Sequence, residues 1–152
     1  MYRRALIVGL VTLPWVGISY AAGWTLITEE EFKRDGAAPR FRGGVIAPAE
    51  PSGAPIIEVD QPDQTNAIRV PVNIRIRFRP QGGAVIDLAT FRATYGWLGI
   101  DITSRIIEHA QINASGLFAN NAEMPAGHHK VTLQIADNVR RVGSRVFEFT
   151  VV

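Results

Sequence analysis

The stretch from residue 70 to residue 78, VPVNIRIRF, puts Val70, Val72, Ile74, Ile76 and Phe78 at every second position. Side chains of an extended chain point alternately to two faces, so this period makes one face apolar and the other polar. The pattern returns at Ile57 and Val59, at Phe91, Ala93 and Tyr95, at His129, Val131, Leu133 and Ile135, and at Phe147, Phe149 and Val151. Turn-forming clusters separate these runs: Gln61-Pro62-Asp63, Pro80-Gln81-Gly82-Gly83, Ser115-Gly116, Met124-Pro125-Ala126-Gly127 and Asp137-Asn138. Short strands that are apolar on one side need a second apolar layer. The expectation is therefore an all-β fold, a two-sheet sandwich of about seven strands over residues 55–152. Pro71 has no N–H for a ladder, which places it at an edge or ahead of regular pairing. One interval departs from the period. Ile102, Ile106 and Ile107 stand at helical spacing, which suits a turn of helix between two strands as well as a strand.

The N-terminus is organised differently. Arg3 and Arg4 precede an uncharged apolar run from Ala5 to Tyr20, and Ser19 and Ala21 are the small residues that a cleavage site after Ala21 needs. Residues 1–21 are read as a signal peptide, with an uncleaved membrane anchor as the alternative. The expected location is outside the cytoplasm, in the periplasm, or at the inner membrane if the segment is retained. The whole chain carries 16 basic and 14 acidic residues. Removing Arg3 and Arg4 leaves the two equal, so nothing favours nucleic acid, whose binding rests on many phosphate contacts. The chain has no cysteine. That excludes a disulfide framework, a thiol nucleophile, a cysteine zinc site and a lipid-bearing cysteine after the apolar run.

Residues 22–54 read as a flexible N-terminal arm and linker. In WTLITEEEFKRD, Thr28 is placed to cap a short helix with Glu29, Glu30 and Glu31 in its first turn. Trp24 and Phe32 are its large anchors, able to dock on the domain or on a partner. The following AAPRFRGGVIAPAEPSGA lacks any period and reads as a linker.

The order PIIEVDQP, PVNIRIRF, VIDLATFRATY, GIDIT and MPAGHHKVTLQIADNVRRVGSRVFEFTV resembles bacterial immunoglobulin-like domains of exported and cell-surface proteins. In that family an "ID-x-x-T" turn follows a strand, and a "P-x-G-x-H/Y" corner leads to a strand ending at Asp. The resemblance covers residues 55–152 and implies an immunoglobulin-like sandwich, with His129 where the family often has a tyrosine. The chain is also similar to the periplasmic copper-resistance proteins, small exported sandwiches with a "P-x-G-x-Y" corner. That family's metal site implies an N-terminal histidine and a "D-G-H" stretch. This sequence has Ala22-Gly23-Trp24 and Asp137-Asn138-Val139 instead.

Few side chains offer chemistry. His128 and His129 are metal-ligand types, with His109 the third histidine, but strand neighbours point to opposite faces. The bland alternative has His129 filling a corner and His128 solvated. Asp60, Asp63, Asp87, Asp101 and Asp137 fall near strand ends. They are calcium-ligand types but are not spaced as a ligand loop, and Asp is also a turn former. Arg69, Arg75, Arg77 and Arg79, with Arg92 nearby, form either an anion-binding face or a solvated face paired with acids such as Glu58 or Glu148. In Tyr95-Gly96-Trp97-Leu98-Gly99, Trp97 is either a lid on the core or an exposed anchor. Ser104, Ser115 and Ser144 lack a nucleophile setting, and there is no glycine-rich phosphate loop.

The resulting expectation is an exported, non-enzymatic binding module of the cell envelope with no cofactor. Its binding residues would be Trp97, Tyr95, Arg75, Arg77 and Arg79. Its partner would be an envelope protein or a surface polysaccharide, with membrane contact only through residues 1–21. The alternative is a small periplasmic metal-binding protein using His128, His129 or His109.

Overall fold

The computed structural model describes residues 22–40 and 50–152. The signal-peptide and anchor readings fall on residues 1–21, outside the described residues, as does the linker over 41–49. In chain order the elements are β1 (Trp24–Thr25), α1 (Glu29–Ala37), β2 (Ile56–Gln61), β3 (Val72–Arg79), β4 (Ile86–Tyr95), β5 (Ile100–Asp101), α2 (Thr103–His109), β6 (Ala110–Asn113), β7 (Gly116–Glu123), β8 (Gly127–Asp137) and β9 (Val142–Val151).

They form two sheets. One runs β1-β7-β3-β2, with β6 also paired to β7, and the other runs β5-β4-β8-β9. The expected two-sheet sandwich is what the chain adopts. Seven strands have four or more residues, and β1 and β5, of two residues each, bring the described total to nine. In β3 the side chains alternate buried and exposed from Val72 to Arg79 without a break. Val70 and Pro71 lie before the strand and are exposed, so the proline stands ahead of the pairing. Ile74, Ile76, Phe78, Phe91, Tyr95, Leu133, Ile135, Phe147 and Phe149 meet in one core between the sheets. The interval at residue 102 is helical: α2 hydrogen-bonds back to β4 through Thr103, whose Oγ1 accepts from Ala93 N at 3.0 Å.

The flexible-arm reading is corrected over residues 24–37. Leu26 and Ile27 are buried in the core, and Trp24 pairs in parallel with Ala122 of β7 while its indole N–H donates to Asn120 O at 2.8 Å. Trp24, Leu26 and Ile27 are three large apolar side chains within four residues, and the core takes all three out of water. Thr28 caps α1 as the sequence predicts. Its hydroxyl accepts from Glu31 N, and Glu31 accepts in return from Thr28 N, which satisfies two free donors of the helix start.

The loop between β2 and β3, two neighbours in one sheet, reaches over to β9 of the other. Ile68 bridges to Val151 of β9, its N–H donating to Thr150 O and its carbonyl accepting from Val152 N, both at 2.9 Å.

Candidate functional site

Trp97 stands on the turn joining β4 to β5, and the turn is tied down from two directions. Gly96 N donates to Lys130 O on β8 at 2.9 Å. The carboxylate of Asp35, in the last turn of α1, accepts from Trp97 N at 2.6 Å and from Leu98 N at 3.0 Å. Gly96 has φ +71, and a Cβ there would strike the Asp35 carboxyl. Glycine therefore meets both the backbone and the space requirement. Lys130 Nζ lies 3.6 Å from the Trp97 ring centroid, a cation–π contact. Trp97 remains 53% exposed and Leu98 48%. Trp97 is thus held at the surface and is not a lid on the core.

Tyr95 is corrected as a binding residue. It is 1% exposed, because the β4 period turns it inward two residues before Trp97. Its phenol meets His129, which is fully buried beneath Phe32 of α1 and against Phe149. A carbonyl only accepts, so His129 Nε2 carries the proton and donates to Pro125 O at 2.8 Å. Nδ1 therefore accepts from the Tyr95 hydroxyl at 3.0 Å. Burial holds the His129 pKa below the ordinary value, against the pull of the Pro125 carbonyl, and His128 adds to the depression. Burial also pushes the Tyr95 phenol upward, helped by the Asp35 and Glu31 carboxylates. His129 thus fills the corner with both ring nitrogens engaged. The three histidines are not gathered. His128 is exposed with Nε2 3.2 Å from Glu148 Oε2, and His109 stacks on the Trp24 indole at 4.6 Å. Among the described residues, no group of three metal-ligating side chains comes together.

The arginine face is a paired surface. Arg77 donates twice to Asp60, Nε to Oδ2 and Nη2 to Oδ1, both at 2.7 Å, and its Nη2 also lies 3.2 Å from Glu58 Oε2. Arg79 lies 3.1 Å from Glu58 Oε1, and Arg75 lies over the Phe118 ring. Glu58 is the cross-strand acid the sequence suggests. Glu148 is not, since it stands on the other sheet beside His128, and Arg92 stands there too, beside Asp101. Arg77 and Arg79 are thus matched to carboxylates of the adjacent strand, the arrangement of a solvated, paired face.

Four of the five strand-end aspartates are turn formers, Asp60 being taken by Arg77 instead. Asp63 accepts from Thr65 N and Asn66 N, Asp87 from Ala89 N, Asp101 from Thr103 N and Asp137 from Val139 N.

Sequence reading missed Asp35, Leu98 and Lys130 at the site. Lys130 was readable as outward-facing from its place beside buried His129. Nothing local connects Asp35 to a turn some sixty residues away.

No family model matches the chain, and no curated protein matches it. Among solved structures it is similar to the crystal structure of CopC from Methylosinus trichosporium OB3b, at 16% identity and a TM-score of 0.43, over 63% of this chain and 93% of that one. A match of that score assigns neither a family nor a ligand.

Proposed function

We propose that the chain is an exported, non-enzymatic interaction module of the immunoglobulin-like type, and that Trp97 and Leu98 are its anchor on an envelope protein. One observation carries this reading: two large apolar side chains stand half exposed on a turn whose backbone is already fixed by Asp35. An aromatic anchor held in place before binding loses little freedom on docking, which favours affinity. Lys130 orients the indole and places a positive charge beside it. The test is in-cell cross-linking of the tagged protein, followed by mass spectrometry. A dominant partner is expected, with capture falling at least about tenfold for Trp97→Ala, as befits a hot-spot residue. Undiminished capture by Trp97→Ala overturns the reading.

A second reading, a small periplasmic metal-binding protein, rests on His128 and Glu148, an exposed imidazole and carboxylate 3.2 Å apart. Two ligands of these types suit zinc or copper with water completing the shell. Isothermal titration with each ion separates the readings, since His128→Ala removes binding in this one and leaves partner capture intact in the first.

A further inference from the structure

The loop between β2 and β3 walls an open groove of about 600 Å³ that neither reading uses. That volume falls in the range of small-ligand sites, about 300–1,000 Å³. Pro62, Ile68 and Val72 give it an apolar floor, and its polar lining includes Gln61, Gln64, Arg69 and Asn73.

What matters is which of these polar groups are already engaged. The lining holds two carboxylates, and both have partners within the fold. Asp60 takes the paired bonds of Arg77, and Asp63 takes four hydrogen bonds from Thr65 and Asn66. Those bonds hold both pKa values below the ordinary carboxylate value, so both stay charged. By contrast, the side chains of Gln61, Gln64 and Arg69 have no hydrogen-bond or ion-pair partner among the described residues. Asn73 has one long contact, accepting from Asn121 N at 3.4 Å.

The groups left to a ligand are therefore two free amides, Gln61 and Gln64, a third amide, Asn73, with one long contact, and the Arg69 guanidinium. Each amide both donates and accepts, and the guanidinium only donates. The fixed carboxylates repel an anion, and their engagement with Arg77, Thr65 and Asn66 leaves little for a cation. The ligand that matches this lining is neutral and rich in groups that donate and accept at once, which is the chemistry of hydroxyls. Its less polar C–H faces suit the Pro62, Ile68 and Val72 floor. We propose that this groove binds a short neutral saccharide, oriented by Gln61, Gln64, Arg69 and Asn73.

The proposal goes beyond the Trp97 reading and is independent of it. The test is nitrogen-15 NMR titration of the purified full chain with chitotriose, cellotriose and maltotriose, each to about 10 mM, enough to nearly saturate a millimolar site. At least one sugar is expected to shift amides confined to residues 59–73. The double variant Gln64→Ala/Arg69→Ala changes two exposed, unengaged side chains, so its unmodified spectrum elsewhere should match that of the parent. It should weaken binding about tenfold or more, while Trp97→Ala binds as the parent does. Three outcomes overturn the proposal: no shifts with any of the three sugars, shifts centred elsewhere, or unchanged affinity in the double variant.

Discussion

The imidazole of His129 has two nitrogens and two partners, and the carbonyl of Pro125 decides which nitrogen holds the proton. Tyr95 supplies the only donor to Nδ1 given by the structure, so Tyr95→Phe leaves a buried acceptor unpaired. The expected loss is about 1–3 kcal/mol in urea unfolding. The same burial has a pH consequence. His129 is held below its ordinary pKa in the folded state, so the unfolded chain binds the proton more readily. Its contribution to stability is complete above the unfolded value of about 6.5 and declines as pH falls below it. Stability should therefore drop between pH about 6.5 and about 5, before ordinary carboxylates titrate. His129→Gln should flatten that slope, and parallel profiles for parent and variant would refute the assignment. A histidine after Pro-Ala-Gly in a strand period was legible as a corner residue. Its tautomer was not, because Tyr95 reaches it from another strand.

Helix α1 is held by charged contacts as well as by its apolar side chains. Arg105 of α2 donates to Glu31 through both terminal nitrogens, at 2.6 and 2.8 Å, and also to Leu26 O at 2.7 Å. These bonds, with those from Thr28, lower the Glu31 pKa to about 2 against the effect of burial. The carboxylate is stabilising above the ordinary glutamate range, and its contribution is lost as pH falls through about 2. Arg105→Ala should cost about 2 kcal/mol, a few charged hydrogen bonds offset in part by solvent. Hydrogen exchange should show where: amides of α1 exchange faster while those of β8 keep their protection. Equal loss across both would show that these bonds do not act locally on α1. The helix start at Thr28 was readable because capping is local. Its docking site was not, since Arg105 lies 74 residues away in the chain.

At the scale of the molecule, the arm completes the core. Leu26 and Ile27 are 3% and 1% exposed, and burying such side chains contributes about 1.5–3 kcal/mol each. With Trp24 the sum is about 4.5–9 kcal/mol, comparable with the lower part of the about 5–15 kcal/mol stability of an ordinary domain. Deleting residues 22–38 should abolish a cooperative thermal transition by circular dichroism; a native-like transition in the truncated chain would show the arm to be dispensable. The period of two by itself marked β2, β3, β4, β8 and β9, most of their inward faces and the need for a second layer, because alternation is a local property and an apolar face must be covered; β7, at the heart of one sheet, carries no such run and was missed. Asp63, Asp87, Asp101 and Asp137 were equally legible as turn formers, since each bonds residues just ahead of it. Tertiary structure alone decided that the arm belongs to the core, that Arg77 takes Asp60 as well as Glu58, and that Trp97 is held outward. Each of those outcomes depends on which distant segments become neighbours. The free energy of an apolar side chain, a carboxylate or an indole is set by those neighbours, and a linear pattern does not name them.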